Sequence, residues 1–202
     1  FQSAREILKH LGEEDNNKKA QQIVVEKIPF FQEKICSQML HIIQNNLNHI
    51  TLLIGEEGFG KSRVLTEFEK KLQSLNFPYK RLRAPNKQAP YETAIQLAKY
   101  IAKESGNLSL HTTIEIFSKT TQKVETNLRH RLFDETAFAL RSLLEERPQI
   151  FLIDDINSCH ESSYDFFLYL QRVTMERIQL PLFIFFTSNN TNHRFPKAEK
   201  IF

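Results

Sequence analysis

Gly55-Glu56-Glu57-Gly58-Phe59-Gly60-Lys61-Ser62 is a glycine-set loop ending in a cation and a hydroxyl. The apolar run Ile50-Thr51-Leu52-Leu53-Ile54, a short buried-strand pattern, leads directly into it. Arg63 to Leu75 follows as an amphipathic helix with Val64, Leu65, Phe68 and Leu72 on one face. Three of the chain's five glycines, Gly55, Gly58 and Gly60, fall within six residues, so the cluster is a local demand on backbone conformation. The spacing G-x-x-x-x-G-K-[ST], between a strand and a helix, carries a mechanism. The glycines let the chain curl so that successive backbone N–H groups point inward at phosphate oxygens. The helix beginning near Lys61 adds the positive end of its dipole. In this reading Lys61 reaches the β- and γ-phosphates and the Ser62 hydroxyl ligates Mg²⁺. The expected ligands are ATP and Mg²⁺, with phosphate contacts from Gly55, Glu56, Glu57, Gly58, Phe59, Gly60, Lys61, Ser62 and Arg63.

Such a loop needs a second, acidic element for the metal. Ile150-Phe151-Leu152-Ile153-Asp154-Asp155 supplies one: four apolar strand residues, then two carboxylates at the strand's carboxyl end. Asp154 is expected to hold Mg²⁺ with Ser62, mostly through water. Asp155 is expected to orient or deprotonate the attacking water, which makes Lys61 and Asp155 the expected catalytic pair. A third polar position belongs where the next strand ends, near the γ-phosphate. Thr187, Ser188, Asn189 and Asn190 lie there, and Ser188 or Asn189 is the expected sensor.

Further out, Phe30 to Leu47 has helical spacing through Ile35, Met39, Ile42, Ile43 and Leu47. Tyr79 to Arg83 reads as a second strand, and helices are expected over Tyr91 to Lys103, on to about Lys123, and from about Leu128 to Glu146 before Pro148. A strand over Gln149 to Ile153, a helix from Glu161 to Met175 and a strand over Leu182 to Thr187 complete the pattern. Strands alternating with helical crossovers make an α/β fold, a three-layer αβα sandwich around a parallel sheet. Ligands in such sheets sit at the carboxyl ends of the strands, where these polar residues fall. The expected strand order is 1-4-3-2, with a fifth strand missing and the first strand left as an edge.

Composition excludes several other classes. At 41% hydrophobic and 25% charged, the chain reads as an ordinary globular domain. Its net charge of +3 is small and the signs are interspersed, which argues against a nucleic-acid face. No apolar run has the length of a membrane span. Cys36 and Cys159 are far apart and form no C-x-x-C, so neither zinc nor a disulfide framework is indicated, and a cytoplasmic setting suits them. His130-Arg131-Leu132-Phe133-Asp134 has the wrong spacing for a kinase catalytic loop and reads as mid-helix. Ser158, Cys159 and His160 are neighbours in sequence, which does not make a triad.

With these elements placed, residues 27–190 resemble the ATPase domain of the STAND class, AAA-related signal-transduction ATPases of large bacterial regulators. Gly55 to Leu65 is similar to that family's phosphate loop, including its Ser-Arg-hydrophobic continuation, here Ser62-Arg63-Val64. Pro90-Tyr91 opening a helix, and the long helix running through Glu145-Glu146-Arg147-Pro148 into the acidic strand, also match. The resemblance implies an ATP-driven switch within a multidomain signalling protein, with a lid and winged-helix region downstream and self-association on ATP binding. Two departures stand out. Ile156-Asn157-Ser158 replaces the family's hydrophobic-His-Trp, and Phe30-Phe31-Gln32-Glu33 lacks the Gly and Arg of the family's lead-in.

Phe1-Gln2-Ser3-Ala4-Arg5-Glu6-Ile7-Leu8-Lys9-His10-Leu11 resembles the final helix of bacterial serine/threonine protein kinases, and Ser3 with Glu6 fits a capping box. The expected organisation is therefore residues 1–12 from a kinase-like domain, a linker over 13–26, and an incomplete ATPase domain over 27–202. The chain begins at Phe1 and reads as a piece of a longer protein whose kinase active site lies upstream. A DNA-replication initiator or loader, and a module that binds nucleotide without hydrolysing it, are the alternatives.

Overall fold

The structure, a computed structural model, describes residues 16–45, 49–84, 90–119, 126–176, 180–189, 195 and 198–201. The kinase-like start and its capped helix, the loop after Pro85, and Asn190 lie outside these residues. Among these residues five strands and six α-helices follow in chain order. They are α1 (Asn16–Asn45), β1 (His49–Ile54), α2 (Lys61–Ser74), β2 (Tyr79–Arg83), α3 (Glu92–Ser105), α4 (Leu108–Lys119), α5 (Thr126–Glu146), β3 (Gln149–Asp154), α6 (Glu161–Leu170), β4 (Leu182–Ser188) and β5 (Glu199–Ile201). The stretch read as a linker over 13–26 is thus helical from Asn16 onward, continuous with the helix expected from Phe30.

The sheet is parallel throughout, in the order β2-β3-β4-β1-β5. The expected order 1-4-3-2 holds, and β4 separates the Asp154 strand from the Ile54 strand. The missing fifth strand needs correcting. Glu199–Ile201 pairs with Thr51 to Leu53, so β1 is an inner strand and not an edge. Three residues of mixed polarity carry no strand periodicity, and what recruits them is the unpaired backbone of β1, invisible in a residue pattern.

Alternation within the strands sorts the core into two layers. Ile184 and Phe186 of β4, with Leu52, Phe151 and Ile153, pack under α3, α4, α5 and α6. Phe183 and Phe185, with Leu53, Ile150 and Leu152, pack under α1 and α2. The fold is therefore the expected three-layer sandwich. The core is aromatic: Phe68 meets Phe185 edge-on at 5.3 Å, and Phe186 stacks on Phe195 at 4.7 Å. Helix ends follow local chemistry. Gly106, at φ 64°, caps α3 by donating to the carbonyls of Ala102 and Lys103, which stops that helix at Ser105. The helix expected to run to Met175 is α-helical only to Leu170, and the next turn, Gln171–Glu176, widens to π. There the Thr174 hydroxyl donates to the Leu170 carbonyl at 2.6 Å, competing for the helical ladder. Residues 130–134 lie inside α5, as their spacing indicates. Among the described residues no helix is long and apolar enough to cross a membrane.

Candidate functional site

Among the described residues, the glycine loop, Asp154, Asp155, Thr187, Ser188 and Asn189 gather at the carboxyl ends of β1, β3 and β4. The loop between β1 and α2 has Gly58 at φ 87° and Gly60 at φ 79°, left-handed values at which a Cβ is strained. Gly60 caps α2, its carbonyl accepting from the amides of Arg63 (2.9 Å) and Val64 (3.0 Å). Gly55 is less constrained, since a Cβ there would meet Phe59 Cβ at an ordinary 3.7 Å. The three glycines thus do not carry equal weight. Glu56, Glu57, Gly58, Phe59, Ser62 and Arg63 are exposed, so the loop is open to a ligand.

Lys61 folds back over this loop. Its Nζ donates to the carbonyls of Gly55 and Glu56, each at 2.7 Å. An ammonium has three donors. Two tie Lys61 to the loop, and the third is the one a phosphate oxygen would take.

Asp154, buried at the end of β3, is the node of the site. Its Oδ1 accepts from Ser62 Oγ at 3.0 Å and from Thr187 Oγ1 at 2.9 Å. Its Oδ2 accepts from Arg81 Nη2 at 2.7 Å. One carboxylate thus joins α2, β4 and β2, because β3 lies between β2 and β4 in the sheet. The donor set fits Mg²⁺, a hard cation that takes oxygen ligands and keeps several waters. Ser62 gives its proton to Asp154 and retains its lone pairs. Asp154 has about four lone-pair positions, three of them filled by protein donors, which leaves room for a metal-bound water. Ser62 would hold the ion directly and Asp154 through water, and the ion when bound would neutralise charge on the phosphates.

Asp155 sits in the left-handed region, φ 58° and ψ 62°. Its amide donates to Thr187 Oγ1 at 2.7 Å, and its carboxylate accepts from the Ser158 hydroxyl. The backbone twist turns the chain out of β3 into a 3₁₀ turn, Ile156–Ser158. Outliers of this kind concentrate at functional sites.

The two expected sensor residues are pinned from the same turn. Ser188 Oγ donates to Asn157 Oδ1 at 2.9 Å, and the Asn189 amide donates to the same oxygen at 2.8 Å. The Ser188 carbonyl accepts from the Gly55 amide at 3.1 Å, so the end of β4 is bonded to the first residue of the glycine loop. Gln32, from α1, is buried with its Nε2 about one van der Waals contact from Gly60, 4.0 Å from where a Cβ would stand.

Sequence reading missed the roles of three residues. Arg81 was hidden among Lys80 and Arg83 in a strand whose face the residue pattern does not settle. Thr187, grouped with the possible sensors, instead fixes both aspartates. Asn157, noted only as a departure from a family pattern, organises Ser188 and Asn189. Cys159 is buried, its thiol beside Thr93 Oγ1 at 3.2 Å, and burial pushes its pKa up to about 11. His160 Nδ1 accepts from the Ser162 amide and caps α6. Neither is poised as a nucleophile or base.

Residues 44–195 match the family model described as AAA domain. No curated protein matches the chain. Among solved structures the chain is similar to Drosophila ORC bound to AT-rich DNA and Cdc6, with TM-score 0.53, 11% identity, and coverage of 86% of this chain and 51% of that one. It is similar also to Aeropyrum pernix ORC1 in complex with DNA, with TM-score 0.51, 15% identity, and coverage of 79% and 38%. Cdc6p from Pyrobaculum aerophilum gives TM-score 0.52, 12% identity, and coverage of 93% and 46%. The chain spans from 38% to 51% of the length of these structures, and at such identities the likeness is one of fold. The family model covers most of the chain, and its span takes in the glycine loop, both aspartates and the end of β4. The chain belongs to the AAA domain family of P-loop ATPases.

Proposed function

We propose that this AAA domain binds ATP with Mg²⁺ and hydrolyses it slowly, serving as a regulatory switch inside a cytoplasmic bacterial signalling protein that also carries a serine/threonine kinase domain. The observation that carries the nucleotide reading is the 3.0 Å hydrogen bond from Ser62 to Asp154. It brings the hydroxyl of the phosphate loop and the acidic strand end to one point, as a shared metal site requires. Lys61 supplies the phosphate charge and Asp155 the base. Slow turnover is supported by the Asp155 carboxylate, which is already engaged by Ser158. A switch also needs the γ-phosphate to be felt elsewhere. The bond from the Gly55 amide to the Ser188 carbonyl, continued through Asn157 to the turn after β3, supports such a connection. The signalling context rests on the sequence resemblances to STAND ATPases and to a kinase's final helix.

A DNA-replication initiator is the second reading, favoured by the similar structures, two of which are complexes with DNA. The interspersed charges and net charge of +3 weigh against it. Calorimetry of the protein with ATP and Mg²⁺ tests the first reading. Lys61→Ala is expected to abolish binding, and unchanged affinity would remove the role given to Lys61. Salt-dependent duplex DNA binding would favour the second reading.

A further inference from the structure

We propose that Arg81 is a positioning residue of the divalent-cation site, clamping the first turns of α2 to Asp154 and so holding the carboxylate that Ser62 and a bound cation share. This rests on the reading of the site as one for a nucleotide with Mg²⁺.

The guanidinium is a rigid fork with five donors. Here four contacts are made from its two terminal nitrogens. Nη1 donates to Glu69 Oε2 at 2.7 Å and to Thr66 Oγ1 at 2.9 Å. Nη2 donates to Asp154 Oδ2 at 2.7 Å and to the Ser62 carbonyl at 3.1 Å. Ser62, Thr66 and Glu69 are spaced i, i+4, i+7, so they line one face of α2. A single side chain from β2 therefore grips successive turns of the helix that carries Ser62 and, at the same time, the carboxylate opposite. Arg81 is anchored by Glu69 on one side and Asp154 on the other, so it is built into place. With Oδ2 taken by Arg81, Oδ1 stays turned to Ser62 and Thr187. Burial works against the charge on Arg81, but hydrogen bonds and attraction from Asp154 and Glu69 outweigh it and raise its pKa. One guanidinium between two carboxylates still leaves the group net negative, which suits a cation. A lysine offers one ammonium, without a fork to span both sides.

The test is ATP affinity by calorimetry, at saturating Mg²⁺ and in EDTA, for the wild type, Arg81→Lys, Arg81→Ala and Glu69→Gln. The expected result is at least a tenfold fall in the affinity gained from Mg²⁺ in both Arg81 variants. The affinity in EDTA shifts much less, and Glu69→Gln shows a smaller loss. Amide hydrogen exchange in the first turns of α2, without nucleotide, is expected to quicken in Arg81→Lys. Thermal melts in EDTA establish which variants fold, and Arg81→Lys carries the test if Arg81→Ala does not. A wild-type gain from Mg²⁺ in the folded variants, or equal losses with and without Mg²⁺, overturns the positioning role alone. A wild type that binds no ATP overturns the nucleotide reading, and this proposal with it.

Discussion

The Thr187 hydroxyl donates to Asp154 Oδ1 at 2.9 Å, with both residues buried. Thr187 Oγ1 in turn accepts from the Asp155 amide at 2.7 Å. One side chain of β4 thus holds the carboxylate proposed to bind the metal through its proton and the turn carrying the proposed base through its lone pair. Thr187→Val keeps the shape and removes both bonds. A fully buried amide left unpaired costs roughly 1–3 kcal/mol; the Asp155 amide is half-buried, so the urea midpoint is expected to fall toward the low end of that range. Thr187→Ser keeps the hydroxyl and is expected to retain most of the stability. A wild-type midpoint for the valine variant would show that water or a backbone shift replaces the hydroxyl.

Asp155→Asn separates base from binder. The amide has nearly the same shape and can still accept from Ser158, so the turn after β3 should persist. A general base contributes about 10²–10⁴-fold, and the variant is expected to lose at least the lower figure in turnover. ATP affinity, which the proposed site places on the glycine loop, Lys61 and Ser62, is expected to stay within about threefold. Hydrolysis at the wild-type rate would dismiss Asp155 as the base.

How much of this was legible in the sequence depends on the range over which each feature is determined. The glycine loop is local: Gly58 and Gly60 need positive φ, and their spacing to Lys61 and Ser62 declares the cradle without tertiary knowledge. The strands Ile150 to Asp154 and Leu182 to Ser188 are local too, because both faces are buried and every residue is apolar until the end. β5 was not legible, since three residues form a strand only through the neighbour they pair with. Nor was Arg81. Which of Lys80, Arg81 and Arg83 meets Asp154 depends on how β2 registers with β3, where Arg81 lies opposite Leu152, and on where α2 lies. Asn157 was legible only as a departure. Its partners, Ser188 and Asn189, stand more than thirty positions away.

Asn157 carries the third prediction. Its Oδ1 accepts from both Ser188 and Asn189, so the proposed sensor loop is tied to the turn that holds Asp155. Asn157→Ala cuts that tie at a half-buried position and should leave the fold intact. The Asn189 amide is expected to exchange faster with solvent. If the tie transmits the γ-phosphate, the preference for ATP over ADP is expected to fall about fivefold, the low end of ordinary coupling. Asn157→Asp keeps an acceptor for both bonds and should restore the preference. Exchange that quickens with no change in preference would leave Asn157 as a structural pin and move the sensing elsewhere.

The cysteines make the last prediction, one of pH. Burial raises Cys36 to about 11, Lys71 pulling it down and Glu67 and Glu33 pushing it up. Burial likewise raises Cys159 to about 11, opposed by the hydrogen bond with Thr93 and helped by the charge of Asp155. For an acid whose pKa is higher folded than unfolded, folding favours the protonated form. The stability this confers is whole below pH 9, the ordinary thiol value, and is lost as pH rises through about 11. Neither thiol is expected to react with a disulfide reagent at pH 8 in the native protein, because the thiolate is scarce and both sulfurs are buried. In strong urea both should react. Urea midpoints should decline from pH 9 to 11, and less steeply in a Cys36→Ala, Cys159→Ala double variant. Rapid native labelling at pH 8 would mean that the turn from Asp155 to His160, or the packing of α1 on α2, opens far more readily than these contacts imply.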